Sequence, residues 1–418
     1  MAMLQLHKEH PDKGGRIINL YNNEFYTAIM DQDLERIEDM SKKYGSNCQI
    51  EIQGDAPGEV FWKATLPLHL AASYRRVHSV QSLLSAGADT EMRDQFGRTP
   101  LHLAVTGWVN IQATSSKPDS KFGRAAISAH RQAEACLRLL CEHGVNINAR
   151  VEGSGHETAL HISVQYKALS AVQILTSYGA DVDAVCSSGM TPLHMAASFL
   201  HKDIIVNLIR QGADVNMGTR QFGNTPLHLA VTTMATNTAK SLDNGLSCIS
   251  ELLEQGADPN IMNKAGLTPL HEACIMGMEE LVDLLLRNGA HINKLSKARE
   301  NCLFLFLNRR CNVKKRSLLI KLLSLTSSPL TVFDQNDRLP LALTEPRFFK
   351  QRDQLLRLLQ QPRRLQDICK SDIYLKCVGG RKEELKRVLP ERLYDFVFHN
   401  WEVQHISFET DCEQDFLK

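Results

Sequence analysis

The chain has 418 residues, 43% of them apolar, with 48 basic and 47 acidic side chains for a net charge of +1. That apolar content excludes a disordered chain, and the near-neutral charge excludes a global field that would draw the protein to nucleic acid or a membrane surface. Its 11 cysteines are odd in number and never form a C-x-x-C pair, which argues for reduced, mostly buried thiols rather than a zinc site. Residues 1–19 form a tail with no apolar run long enough for a signal peptide, and the densest apolar stretch, Leu303 to Leu307, is too short to span a bilayer. A cytosolic or nuclear protein without membrane attachment is expected.

Residues 20–50, centred on Tyr21 to Tyr44, have the spacing of a helix pair that would close one end of a larger array. From 51 to 296 one motif recurs six times. L-P-L-H-L-A-A has its proline at Pro67 and T-P-L-H-L-A-V at Pro100, while T-A-L-H-I-S-V puts Ala159 in that slot. T-P-L-H-M-A-A, T-P-L-H-L-A-V and T-P-L-H-E-A-C follow at Pro192, Pro226 and Pro269. A Gly-Ala-Asp-like marker begins at Gly87, Gly144, Gly179, Gly212, Gly256 and Gly289, 18 residues after the motif histidine in four of the units. In the other two the interval is 42 and 28, so insertions of 24 and 10 residues, near 109–133 and 234–244, account for every irregular step. Their Ser, Thr, Lys, Asn and Gly content is that of exposed loops.

Each unit has the chemistry of a helix–turn–helix with a hairpin-like connector. Threonine caps the first helix and proline takes its first position, where no amide is needed. Small Ala-Ala pairs let that helix lie close to its neighbour. The second helix shows an apolar face, as in Val80, Leu83 and Leu84, and glycine in the left-handed conformation ends it. The repeated His69, His102, His161, His194, His228 and His271 stand one per unit, too far apart to share a metal. Their expected role is to hydrogen-bond the connecting loops.

With this period and T-P-L-H-x-A motif, the segment from about Val60 to Asn293 resembles the ankyrin-repeat family. The resemblance implies an all-α solenoid that holds a protein client on its concave face. Seven residues after the motif proline, a position expected on that face, stand Tyr74, Gly107, Tyr166, Phe199, Thr233 and Met276. Tyr74, Tyr166, Phe199 and Met276 are the candidate client contacts, flanked from the connector side by Trp62 and Met190. The resemblance also implies hydroxylation of a connector asparagine, for which Asn216 is the best match. Residues 297–361 continue the array as degenerate, capping repeats at Asn301-Cys302-Leu303 and Leu339-Pro340-Leu341, without the histidine or the glycine marker.

After Pro362 the pattern changes. Leu365, Cys369 and Ile373 fall four apart, one narrow stripe on a helix, and Leu389-Pro390 follows a Gly379-Gly380 turn. Residues 362–400 resemble a SOCS box, a small helical C-terminal module. That resemblance implies that Leu365, Cys369 and Ile373 insert into elongin C, in the elongin B/C pair, and that Leu389 and Pro390 begin a cullin-recruiting segment. Arg392 stands where the second proline of that segment is expected. Residues 401–418 form an acidic tail with five acids and one lysine.

The sequence holds no phosphate-cradling glycine loop, no G-x-S-x-G and no H-E-x-x-H, so no catalysis, cofactor or metal is expected. The basic residues Arg309, Arg310, Lys314, Lys315 and Arg316 lack interleaved aromatics and any known reader motif, so nucleic-acid binding is not expected either. The functional expectation is a monomeric adaptor, a substrate-recruiting subunit of an elongin/cullin-type ubiquitin ligase. The alternative is a plain ankyrin-repeat scaffold whose last residues only cap the array.

Overall fold

The computed structural model describes residues 17–18, 24–56, 59–108, 121–153, 155–236, 242–326, 332–360 and 373–374, and isolated positions from 387 to 395. The chain divides into two compact units, Met1–Pro192 and Leu193–Lys418. The architecture is the expected helical repeat array, with one small sheet in the first unit.

The first unit opens with α1 (Glu24–Asp31) and α2 (Leu34–Tyr44). Phe25, Ala28, Ile29 and Ile37 are fully buried, and Asp33 caps α2 by accepting from the Arg36 amide at 3.3 Å. The pair packs on the next two helices as a repeat would. Strands β1 (Ile17–Ile18), β2 (Gln49–Ala56) and β3 (Glu59–Thr65) form a three-stranded sheet. β1 lies parallel to β2, and β2 pairs antiparallel with β3 from Ile50↔Thr65 to Ala56↔Glu59. This hairpin occupies the start of the segment expected to hold repeats. Its alternation Gln-Ile-Glu-Ile-Gln, with Pro57-Gly58 between the strands, was a hairpin signal in the sequence.

Helix pairs then follow: α3 (Pro67–Ser73) with α4 (Val77–Ser85), α5 (Pro100–Val105) with α6 (Lys121–Glu142), and α7 (Ala159–Gln165) with α8 (Leu169–Ser177). First helices pack on first helices, and second on second. α6 corrects the reading of the first insertion. Its 22 residues begin at Lys121, so half of the segment expected as loop is helix. His130 on that extension meets the buried Trp108 edge-to-face at 5.7 Å.

In the second unit, α9 (Pro192–Ser198) pairs with α10 (Lys202–Arg210), α11 (Pro226–Thr236) with α12 (Leu242–Glu254), and α13 (Pro269–Met276) with α14 (Glu279–Arg287). The second insertion also extends helices, since α11 runs to Thr236 and α12 starts at Leu242. The six marker glycines end their second helices with φ between 75° and 93°, the left-handed turn that glycine adopts without strain.

The degenerate repeats keep the packing and change the chemistry. α15 (Cys302–Leu307) is capped by Asn301 in place of threonine, its carboxamide accepting from the Phe304 amide at 2.8 Å. All six of its residues are buried. α16 (Arg316–Leu325) is tied to α14 by Lys321, whose amine lies 2.8 Å from both Glu279 and Asp283. A further connector at 334–340 leads to short 3-10 turns (Leu341–Thr344, Pro346–Phe348) and α17 (Phe349–Gln360). Among the described residues no helix is long and apolar enough to cross a membrane.

Candidate functional site

The repeat motif builds a hydrogen-bonded joint at each connector. In the second repeat the Thr99 amide donates to His102 Nδ1 at 3.1 Å, and the Thr99 hydroxyl lies 2.8 Å from the same nitrogen. With Nδ1 accepting, the ring proton sits on Nε2, which donates to the Ala149 carbonyl at 3.1 Å. The geometry recurs at His161 toward Met190, His228 toward Leu267 and His271 toward Lys294, at 3.2, 3.0 and 2.9 Å. Each histidine therefore joins its own helix start to the following connector. All six are buried. Burial pushes His102 and His228 down to about 4 and also lowers His69 and His194, which keeps these rings neutral. Among the described residues no cluster of histidine, cysteine or carboxylate side chains has the arrangement of a metal site.

The first repeat tests the threonine's role. Leu66 stands in its place, and His69 Nδ1 is buried with no hydrogen-bond partner, while Nε2 still meets Arg98 O at 3.0 Å. Replacing Thr268 by valine would remove the hydroxyl that accepts from the His271 amide at 3.3 Å and lies 3.0 Å from His271 Nδ1, leaving only the main-chain amide on that nitrogen. Thr268→Val is expected to cost about 1–2 kcal/mol, read as a lower urea midpoint. An unchanged midpoint would mean that the histidine alone holds the joint.

The connectors share a second device. In several of them one side chain at the start of the turn accepts from the amides two and four residues on. Asp94 does so at 2.9 and 2.9 Å, Asn263 at 3.0 and 3.0 Å, and Asp334 at 2.8 and 2.8 Å. Cys186 occupies this position in the connector before Pro192, which the motif reading missed. Burial alone would raise its thiol. Hydrogen bonds from His161, Ser188 and the Met190 and Ser188 amides outweigh that and hold it at about 6. Of the eight described cysteines, seven are buried and Cys311 is exposed.

The candidate client contacts lie where the first helix of a unit ends. Tyr74 and Tyr166 are the C-caps of α3 and α7, 53% and 40% exposed. Phe199 follows α9 at 38% exposed and stacks on His201, with ring centroids 5.6 Å apart. Met276 closes α13 and is half-buried. They do not form an unbroken stripe. In the first unit Gly107 separates the two tyrosines, and in the second Thr233 separates Phe199 from Met276. Trp62 lies in β3 opposite Gln53, with its side chain outside the described residues. Asn216 is engaged at both ends of its carboxamide, donating to Gly256 O at 3.1 Å and accepting from the Asp258 amide at 2.8 Å.

Of the C-terminal candidates, Leu365, Cys369 and Leu389 lie outside the described residues. Ile373 is 41% exposed, whereas its neighbour Tyr374 is buried. Burial raises the Tyr374 phenol, which also feels Asp283, Lys321 and Arg287 on α14 and α16. Pro390 is exposed.

Comparison with known proteins gives two family matches. "Ankyrin repeats (3 copies)" matches residues 108–186, 179–245 and 240–296, and "Ankyrin repeat" matches 66–95. The Gallus gallus nuclear factor NF-kappa-B p105 subunit is 35% identical over 161 residues, covering 35% of this chain and 16% of that protein. Ankyrin repeat and SOCS box protein 16 of Homo sapiens is 31% identical over 196 residues, covering 40% of this chain and 43% of that protein. The chain thus spans less than half the length of either relative. The crystal structure of the Bcl-3 ankyrin repeat domain aligns with a TM-score of 0.46 at 23% identity, over 58% of this chain and 93% of that domain.

Proposed function

Because the chain belongs to the ankyrin-repeat family, we propose that it is a protein-interaction scaffold that recruits a client to an elongin/cullin-type ubiquitin ligase. The repeats supply the scaffold. Holding rather than converting is the work, and the exposed ends of the first helices, Tyr74 and Tyr166 in one unit and Phe199 and Met276 in the other, are the client contacts.

The observation that carries the ligase link is the state of the 373–374 pair. Tyr374 is buried and feels the charges of α14 and α16, while Ile373, one member of the Leu365/Cys369/Ile373 stripe, stays 41% exposed. A simple cap would bury that isoleucine; a helix that docks by another face keeps it for a partner. Likeness to an ankyrin repeat and SOCS box protein supports the same reading. Arg392 in place of a proline makes elongin B/C the better-supported partner, with Leu389 and Pro390 as the cullin side.

The test is co-purification of the full chain with elongins B and C, comparing wild type with Leu365→Ala/Cys369→Ala. The expected result is a complex that the double variant loses. A folded wild-type chain that captures neither elongin would leave a plain scaffold. Asn216 is proposed as the hydroxylation target, and its two inter-repeat hydrogen bonds mean that the connector must open first. An unmodified Asn216 peptide mass from cells that hydroxylate other ankyrin asparagines would remove that proposal.

A further inference from the structure

The connectors of the Leu193–Lys418 unit carry a second exposed surface, distinct from the helix ends. Met262, Leu295 and Phe333 each stand immediately before the turn acceptor of a connector, at Asn263, Ser296 and Asp334. They are 41, 40 and 38% exposed. Isolated exposed apolar side chains are ordinary, but the same register filled in three successive connectors makes a row. Neighbouring connectors are bonded side to side, with the Lys264 amide donating to Phe222 O at 2.8 Å and the Gln335 amide to Ala298 O at 2.9 Å.

Cations run beside this row. Lys264 and Lys297 come two residues after Met262 and Leu295, and each reaches back so that its amine bonds a carbonyl of the preceding connector, Arg220 O and Lys264 O respectively. A carbonyl partner fixes an ammonium without neutralising it. Arg220, Arg299 and Arg338 are exposed on the same set of connectors. The acids of these connectors are fewer than the five cations. Asp334 accepts from the Asn336 and Arg338 amides and Glu300 from the Ser296 hydroxyl at 2.9 Å, bonds that orient them without neutralising them, and Asp337 is exposed, so the surface keeps a positive excess.

We propose that this row is a docking surface for an extended peptide of a partner protein, rich in acidic residues with apolar side chains spaced among them. Its carboxylates meet Lys264, Lys297 and Arg299, and its apolar groups cover Met262, Leu295 and Phe333. Charge complementarity selects such a peptide over a basic or neutral one. The surface lies wholly within one unit and does not depend on the ligase reading.

The experiment is a selection from a random peptide-display library on the full chain at low salt, followed by affinity measurement. Wild type is compared with Met262→Ser/Leu295→Ser and Lys264→Glu/Lys297→Glu, all verified as folded by circular dichroism. Enriched peptides are expected to combine acidic with apolar residues, and to bind both variants about tenfold more weakly. Raised salt should weaken them further. Enrichment of neutral or basic peptides, equal binding to the variants, or no enrichment at all would overturn the proposal. A concentration-dependent dimer that Leu295→Ser dissolves would give the surface to a second copy of the chain, with the same consequence.

Discussion

Asn312→Asp is expected to be the most damaging conservative change in the Leu193–Lys418 unit, costing about 3–5 kcal/mol at neutral pH. Asn312 is fully buried in the turn between α15 and α16. Its carboxamide nitrogen faces three main-chain carbonyls: Ile275 at 2.9 Å, Phe306 at 3.2 Å and Cys274 at 3.3 Å. These carbonyls lie near the ends of α13 and α15, where the Gly277 amide also bonds Cys274 O at 3.0 Å and the Arg309 amide bonds Phe306 O at 3.3 Å, so Asn312 completes the capping of both helix ends. One side chain therefore ties a regular repeat to a degenerate one. Gly277 leaves the space for it, since a Cβ there would lie 2.3 Å from Asn312 Oδ1. An aspartate would set a carboxylate against three carbonyl oxygens with no donor to offer them. Asn312→Ala, which removes the donor without adding charge, should cost less, about 2–3 kcal/mol. Urea unfolding at neutral pH should rank wild type above alanine above aspartate. Relative to wild type at the same pH, the aspartate variant should recover on acidification as its carboxyl takes up a proton. An aspartate variant as stable as wild type would show that the carbonyls are satisfied in some other way.

Acid is expected to destabilise the protein through the histidine joints. His102 and His228 are held at about 4 by burial, against an ordinary value near 6.5 in the unfolded chain. Between those values the unfolded state binds the extra proton, so stability is complete above pH 6.5 and falls as pH drops toward 4. Each joint should lose about 3 kcal/mol across that window. The structural cause is specific: protonating Nδ1 would turn it against the Thr99 or Thr225 amide that it accepts from. Glu272 acts with the opposite sign in the second unit. Burial pushes its carboxyl up to about 7 while the Thr232 hydroxyl, 2.5 Å away, pulls it down. Its contribution is present below the ordinary carboxylate value and is lost as pH rises through 7. Urea midpoints from pH 8 to pH 4 should therefore fall for wild type, and more steeply for Glu272→Gln. They should fall less steeply for His102→Gln/His228→Gln, which starts from a lower midpoint. Parallel curves for wild type and the double histidine variant would refute this assignment.

The comparison of Leu66 with Thr99 shows how far the motif alone carries. The capping residue and the left-handed glycine are local requirements of a helix start and a helix stop, so they recur through the six regular repeats, the cap failing only at Leu66. The functional reading rests on less. Tyr74, Tyr166, Phe199 and Met276 were legible as one register because exposure at a helix end follows from position in the repeat. Cys186 was not legible as a turn acceptor, because a thiol at that position gains its meaning only from the amides and the histidine folded around it. Met262, Leu295 and Phe333 were missed for a related reason. In the sequence each is an apolar residue beside a turn, and only the side-by-side bonding of connectors makes them a row.

The sequence by itself determined the repeat fold, its phase and the joints made by the histidines, since all of these follow from short-range spacing. Tertiary structure decided what spacing cannot express. It turned half of the first insertion into the helix that covers Trp108. It made Asn312 the tie between unlike repeats, and left Ile373 exposed while burying Tyr374. Each of these depends on which distant surface is near enough to exclude water, and that is a property of the packed chain rather than of any local segment.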